Sequence, residues 1–322
     1  MVEKYLNNRF AILYLIPFIL GLLTVFSFQP FNFTLINFII LPILFYLVTY
    51  INKKSKSIYR KKPFKKNLLI FGTAFGFGYF LSGIHWVTHS LTFDENFKIL
   101  IPFALFLIPL FLSLFFSIII LIIGPLLKLN LPSILLFSAF LSFSDYLRAK
   151  ILTGFPWNLW AYSFSWATEI LQLLNKIGLF AFNLIIITIF MAPIIFFFNI
   201  KKRYKYLYSI SLFSVLFAFY IYGNHSINKN KAFLNSYGEK FNIKVISPNF
   251  DLEYGLSSAK VENRLRKLIK YSDPQNELKT LFVWPEGVFS GYSYKEILWL
   301  ENIVSKNFDN NHYILFGVNR LD

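Results

Sequence analysis

One carboxylate, Glu286, stands in TLFVWPEGVFSGY (280–292), behind the apolar run Leu281, Phe282, Val283 and Trp284 and just past Pro285. The run reads as a buried strand that Pro285 stops, so Glu286 falls at a strand's carboxyl end, where open α/β sheets keep their chemistry. The plainer alternative is a carboxylate that caps the next turn or pairs with a lysine. His85 and His89 are four apart, which on a helix puts them on one face and within reach of a shared metal. No third ligand stands near, and HWVTH lacks the glutamate of a zinc-protease motif, so contacts inside a helix bundle are expected of them. Gly154-Phe155-Pro156-Trp157 is either a turn at a membrane interface or a loop whose Trp157, Trp160 and Tyr162 guide lipid. Arg148, just before it, is the candidate for a phosphate headgroup. The chain has no cysteine, which excludes disulfides, thiolate metal sites and a cysteine nucleophile of its own.

The elements that must hold these residues follow from composition. Of 322 residues 56% are hydrophobic and 20% aromatic, too apolar for one soluble core, so a bilayer must solvate much of the chain. The net charge of +16 belongs to the apolar part: residues 1–223 carry 19 Lys and Arg against 5 Asp and Glu, whereas 224–322 carry 13 against 11. That distribution marks membrane topology and argues against a nucleic-acid partner. Seven stretches approach the ~20 residues needed to cross, at about 10–28, 33–51, 67–90, 99–127, 132–150, 177–199 and 206–223. With the amino terminus inside, the inner segments hold 15 basic residues, eight of them in 53–66, and the outer segments hold Lys98, Arg148, Lys150 and Lys176. Residues 224 onward are then outside. Residues 1–28 lack a small-residue cleavage site, so a retained helix is expected over a signal peptide. Glycines 72, 76, 78 and 83 lie within a span and are expected to let helices approach closely.

Residues 224–236 read as a linker, followed by a soluble domain. KFNIKVISPN (240–249), TLFVWPE (280–286) and HYILFGV (312–318) read as strands. SSAKVENRLRKLIKYS (257–272) is amphipathic, with Val261, Leu265, Leu268 and Ile269 on one face, and SYKEILWLENIVSKNF (293–308) opens with a capping box, Ser293 and Glu296. Strand, helix, strand, helix, strand predicts parallel neighbours, with the loops after the strands on one edge. Three strands and two helices make a thin domain, because a sheet of this kind needs both faces covered.

Together these segments resemble a known family. IKVISPNF and FVWPEGVF are similar to the opening of a nitrilase-type, or carbon-nitrogen hydrolase, domain. FGTAFGFGYFLSGIHWV (71–87) and LRAKILTGFPWNLWAYSF (147–164) resemble the Gly-rich span and Gly-Phe-Pro-Trp loop of apolipoprotein N-acyltransferases. The expected fold is a multi-span α-helical membrane bundle (1–223) plus a partial α/β nitrilase-like domain, an incomplete α-β-β-α sandwich (224–322). The resemblance implies a bacterial inner-membrane acyltransferase with its carboxyl-terminal domain in the periplasm. It would move an acyl chain from a phospholipid to the amino terminus of a diacylglyceryl-cysteine lipoprotein, without a cofactor. The family's Glu–Lys–Cys triad passes through a thioester, and only its glutamate has a counterpart here, Glu286. Burial behind Trp284 and Pro285 would raise its pKa toward that of a proton acceptor. Tyr254 stands about where the family has a Trp over the acyl-chain entrance, and Trp157, Tyr254 and Arg148 are the substrate-binding candidates. The family's lysine and cysteine lie beyond the point matching Asp322, so the chain alone is expected to be inactive, completed by a second polypeptide or left by a decayed reading frame. The alternatives are a non-catalytic lipid- or lipoprotein-binding membrane protein, or a transporter, which the scarcity of ionisable residues in the spans disfavours.

Overall fold

The computed structural model describes residues 8–55, 63–151, 154–236, 242–251, 253, 255–275 and 278–319. It divides into two compact units, 1–230 and 231–322.

The first unit is helical. Its principal helices are α1 (Ile16–Leu23), α2 (Asn37–Ser55), α3 (Pro63–Ile84), α4 (Ile101–Ile123), α5 (Leu131–Lys150), α6 (Leu179–Phe190) and most of α7 (Lys202–Ser236), whose end passes residue 230. Among the described residues, four helical segments are long and apolar enough to cross a membrane: Thr34–Lys53, Phe64–Thr92, Glu95–Leu126 and Lys202–Ser236. Ala11–Ser27 and Leu179–Phe190 are shorter apolar helices. The latter gives way at Met191 to a 3₁₀ segment, Ala192–Phe197, with a proline in its first turn. Helix α5 is 20 residues long and carries Asp145, Arg148 and Lys150 toward its end.

Helices in lipid associate through close packing, so small residues gather where they touch. A Cβ added to Gly72 would lie 2.7 Å from Ser117 Cα, and one added to Gly76 2.8 Å from Ser113 Cα, so α3 and α4 meet backbone to backbone. Across this seam Thr73 and Ser117 share a hydroxyl hydrogen bond of 2.6 Å. Gly78 meets the backbone at Phe18, as expected of a span glycine, whereas Gly83 makes room for the side chain of Asn158 in a loop and not for a helix. The seventh expected span is longer than its apolar stretch: α7 runs to Ser236 and absorbs the segment 224–236 that reads as a linker. That segment, NHSINKNKAFLNS, is polar but has no Gly or Pro, so nothing in it stops a helix.

The second unit holds β1 (Asn242–Val245), α8 (Ser258–Ser272), β2 (Thr280–Val283), α9 (Glu301–Ser305) and β3 (His312–Leu315). The strands form one parallel sheet in the order β1-β2-β3, with Lys244, Phe282 and Ile314 in register. Ser257 caps α8 by accepting from the Lys260 N–H. The second helix is broken into a 3₁₀ turn, Lys295–Leu300, and the short α9. Half of its capping box forms: Glu296 accepts from the Ser293 N–H at 2.8 Å, and the Ser293 hydroxyl donates to the same carboxylate. Alternation along the strands sorts their residues by face. Phe282, Trp284 and Ile246 form a core with Val261, Leu265 and Leu268 of α8 and with Ile297 and Leu300. On the opposite face Ile243, Val245, Tyr313 and Leu315 are exposed.

Candidate functional site

Glu286 lies in the turn that follows β2, beyond Trp284 and Pro285, with Gly287 in the left-handed region at φ 73°. Trp284 turns the other way, into the helix-covered core, and its indole N–H donates to Ser272 Oγ at 3.0 Å. The expected burial of Glu286 behind Trp284 and Pro285 is therefore not realised, and the carboxylate is exposed. It has no hydrogen-bond or ion-pair partner among the described residues, so it neither caps the turn nor pairs with a lysine there. Gly317, past β3, sits beside it: an added Cβ would lie 3.7 Å from Glu286 Cγ. The loops after β2 and β3 thus meet at the carboxylate, on the edge where the sequence places it.

Arg264 joins the loop after β1 to the loop after β2. Its guanidinium donates to the Asp251 carbonyl at 2.7 Å and to the Val288 carbonyl at 3.4 Å, and stacks over Phe250 with 5.0 Å to the ring centre. By sequence it is one of the charges off the apolar face of α8. Its spacing, three after Val261 and four before Leu268, was the signal that it borders that face. An open cleft of about 300 Å³ lies beside it, lined by Phe250, Glu253, Lys260 and Lys267 among others. The hydrogen bond and charge of Lys260 hold the Glu253 carboxyl below the usual range. Bonds from the Ser293 backbone and hydroxyl do the same for Glu296. Tyr254 lies outside the described residues.

In the helical unit the chemistry collects on the loop after α5. Arg148 is 2% exposed, and its guanidinium donates to the Phe155 carbonyl at 2.5 Å, the Trp157 carbonyl at 2.7 Å and Asp145 Oδ1 at 3.0 Å. Asn183 on α6 donates to Asp145 Oδ2 at 2.9 Å and accepts from the Ala161 N–H at 2.8 Å. The expectation that Arg148 holds a headgroup fails on this geometry, because a buried guanidinium with three partners faces the protein's own loop. Asp145 and Asn183, which complete the network, were missed. The i,i+3 spacing of Asp145 and Arg148 was the available signal.

The clamped loop is shaped by Gly154 at φ 79° and Asn158 at φ 57°. It presents Trp157, which is exposed and stacks on Phe155 at 5.6 Å and on Trp86 at 6.5 Å. Trp160 is fully buried and packs on Tyr79 at 5.4 Å, so it cannot guide lipid as the sequence reading allowed. The histidines do not share a face. Helix α3 ends at Ile84 and His85–Thr92 is 3₁₀, where residues four apart are rotated by about 120°. Both histidines are exposed, with His85 Nδ1 at 2.8 Å from the Ser82 carbonyl and His89 against Phe93.

The family model for the apolipoprotein N-acyltransferase N-terminal domain matches residues 20–192, more than half of the chain. The chain belongs to this family. Proteins named apolipoprotein N-acyltransferase are similar to it, some of them over most of its length: one from Rhodopseudomonas palustris is 24% identical over 290 residues, 87% of this chain and 52% of the relative. One from Bradyrhizobium diazoefficiens is 27% identical over 285 residues, 86% of this chain and 51% of the relative. One from Rickettsia bellii is 36% identical over 119 residues, 37% of this chain and 24% of the relative. The chain spans about half the length of the first two acyltransferases. The matched segment contains the whole Asp145–Arg148–Asn183 network and the 154–158 loop, whereas Glu286 lies beyond it.

Proposed function

We propose that this chain serves lipoprotein N-acylation at the bacterial inner membrane, carrying the carboxylate of a thioester-forming acyltransferase on Glu286. In this reading seven segments cross the bilayer with the amino terminus in the cytoplasm, and the unit after α7 is a nitrilase-like domain in the periplasm. Family membership and the basic bias of 53–66 support that arrangement. The observation that carries the chemical role is the unpartnered Glu286 at the carboxyl edge of a parallel sheet, where the loops after β2 and β3 meet.

A carboxylate in that place takes the proton of a thiol, whose sulfur then attacks the ester carbonyl of a phospholipid. The lysophospholipid leaves with a proton, and the amino terminus of a diacylglyceryl-cysteine lipoprotein displaces the acyl chain from sulfur. A lysine would offset the charge that builds on the carbonyl oxygen. This chain has no cysteine, so the thiol comes from polypeptide outside these 322 residues. Trp157 and Tyr254 are the lipid-side residues.

Complementation of a strain depleted of its own acyltransferase tests the reading. Residues 1–322 alone are expected not to rescue growth. Co-expression with the carboxyl-terminal half of a relative is expected to rescue it, and Glu286→Gln to abolish that rescue. Growth supported by residues 1–322 alone would contradict the role given to an outside thiol. The absence of cysteine favours a second reading, a non-catalytic lipid-binding membrane protein, for which Glu286→Gln would change nothing while Trp157→Ala would alter the phenotype.

A further inference from the structure

The strongest unassigned feature is the amount of bonding spent on five loop residues. Gly154–Asn158 is held by Arg148 at two carbonyls, by the Phe155 N–H to the Arg148 carbonyl at 2.9 Å, and by the Tyr79 hydroxyl to the Asn158 carbonyl. Gly83 leaves room for the Asn158 amide. The clamp is anchored on a second helix, because Asn183 fixes Asp145, which fixes Arg148. Arg148 also lies over the Phe80 ring at 5.1 Å. Such a network is costly to desolvate, and replacing a buried ion pair by apolar residues is often neutral or stabilising, so stability alone is a weak reason for it. What the clamp leaves exposed is Trp157 with Trp86, their rings 6.5 Å apart and 23° from parallel, while half-buried Phe155 stacks on Trp157 from the core side. Trp86 is pinned in turn by its indole N–H to the Gly83 carbonyl at 3.2 Å.

We propose that Arg148, with Asp145 and Asn183 behind it, is a positioning residue that holds Trp157 in stack with Trp86, and that the two rings form a contact site for phospholipid at the level of the glycerol esters. The occupant is lipid because the rings stand at the end of the membrane-crossing segment Phe64–Thr92, and because amphipathic indoles settle at the bilayer interface. Trp86 is thereby added to the site, and Arg148 acts on lipid only through the loop. The inference rests on the reading of the loop as lipid-facing and is independent of the chemistry at Glu286.

The test uses the full chain labelled with 5-fluorotryptophan in phosphatidylethanolamine–phosphatidylglycerol nanodiscs. The six tryptophan ¹⁹F signals are assigned by single Trp→Phe changes. A lipid with a nitroxide near the headgroup is expected to broaden Trp86 and Trp157 together and to leave Trp160 sharp. A lipid labelled at the chain end should broaden that pair less. Lack of broadening, or stronger broadening from the chain end, would overturn the lipid site. In Arg148→Ala both signals are expected to shift and to lose their shared broadening.

The double variant Asp145→Arg/Arg148→Asp separates positioning from mere charge balance. It keeps a neutral pair, but the carboxylate placed at 148 cannot donate to the loop carbonyls, so both signals should stay displaced. Wild-type signals in that variant would overturn the positioning role. If the Arg148 variants do not fold, Asn183→Ala, which leaves the Arg148 side chain in place but removes the bond that fixes Asp145 behind it, is expected to loosen the clamp and to shift Trp157 and Trp86 together in smaller degree. An unchanged pair there would overturn the role equally.

Discussion

Gly76→Ala sets two well-calibrated effects against each other. In a helix interior alanine is favoured over glycine by about 0.8–1.0 kcal/mol, so propensity alone predicts a more stable protein. The added Cβ, however, would stand 2.8 Å from Ser113 Cα. Carbon atoms pack best at roughly 3.5–4.0 Å, so α3 and α4 must part locally by about 0.7–1.2 Å. Separation on that scale strains the 2.6 Å Thr73–Ser117 hydroxyl bond and loosens the neighbouring approach of Gly72 to Ser117. Overpacking of this kind typically costs about 1–3 kcal/mol, which outweighs the propensity gain at most points of its range. Net destabilisation of about 0–2 kcal/mol is expected, read by denaturant unfolding in mild detergent. The control is Gly76→Ala with Ser113→Gly, which removes the Ser113 Cβ at 3.0 Å but leaves its Cα in place, so it is expected to recover little of the loss. A single variant more stable than the parent by the full propensity difference would refute the close approach of these helices.

Three other outcomes follow from the same structure. Arg148→Met leaves Asp145 buried without its guanidinium and is expected to cost about 3–5 kcal/mol by the same unfolding assay, whereas Asp145→Leu/Arg148→Met should recover part of that loss. The two sheet faces predict opposite tolerances: Phe282→Ala, from a fully buried ring, should cost about 3–5 kcal/mol, while Val245→Lys, on the exposed face, should stay within about 0.5 kcal/mol. Glu253 and Glu296 titrate below the usual glutamate value, so their stabilisation is complete above that value and is lost as pH falls through the depressed folded values. Thermal stability of the second unit's transition is therefore expected to fall between about pH 5 and about pH 3, and Glu296→Ala to flatten that fall.

The parts legible in the sequence were those set by local pattern. The three strands are short apolar runs, and their register puts Phe282 under the helices as the alternation requires. The Val261–Leu265–Leu268 stripe and the Ser293–Glu296 cap are likewise spacing effects. Parts that depend on distant partners were not legible. Arg148 at the end of an apolar stretch reads as a headgroup contact, and only the carbonyls of Phe155 and Trp157, brought back by the turn at Gly154, reveal it as a clamp. The histidine pair fails because pattern cannot show that α3 tightens to 3₁₀ after Ile84. Polarity misled at 224–236, where the lack of a breaker mattered more than hydrophobicity. Glu286 was placed correctly on the sheet edge, but its exposure depends on Trp284 turning into the core.

The side of the membrane on which Glu286 stands decides whether the proposed chemistry can occur. The cysteine-free chain allows a direct measurement: Ser305→Cys places one thiol on an exposed position of the second unit, and Ser57→Cys places one in the basic segment 53–66. Intact cells with a permeabilised outer membrane are treated with a membrane-impermeant maleimide. The Ser305→Cys protein is expected to label before lysis and the Ser57→Cys protein only after it. Labelling in the reverse order would place the carboxylate in the cytoplasm and contradict the account.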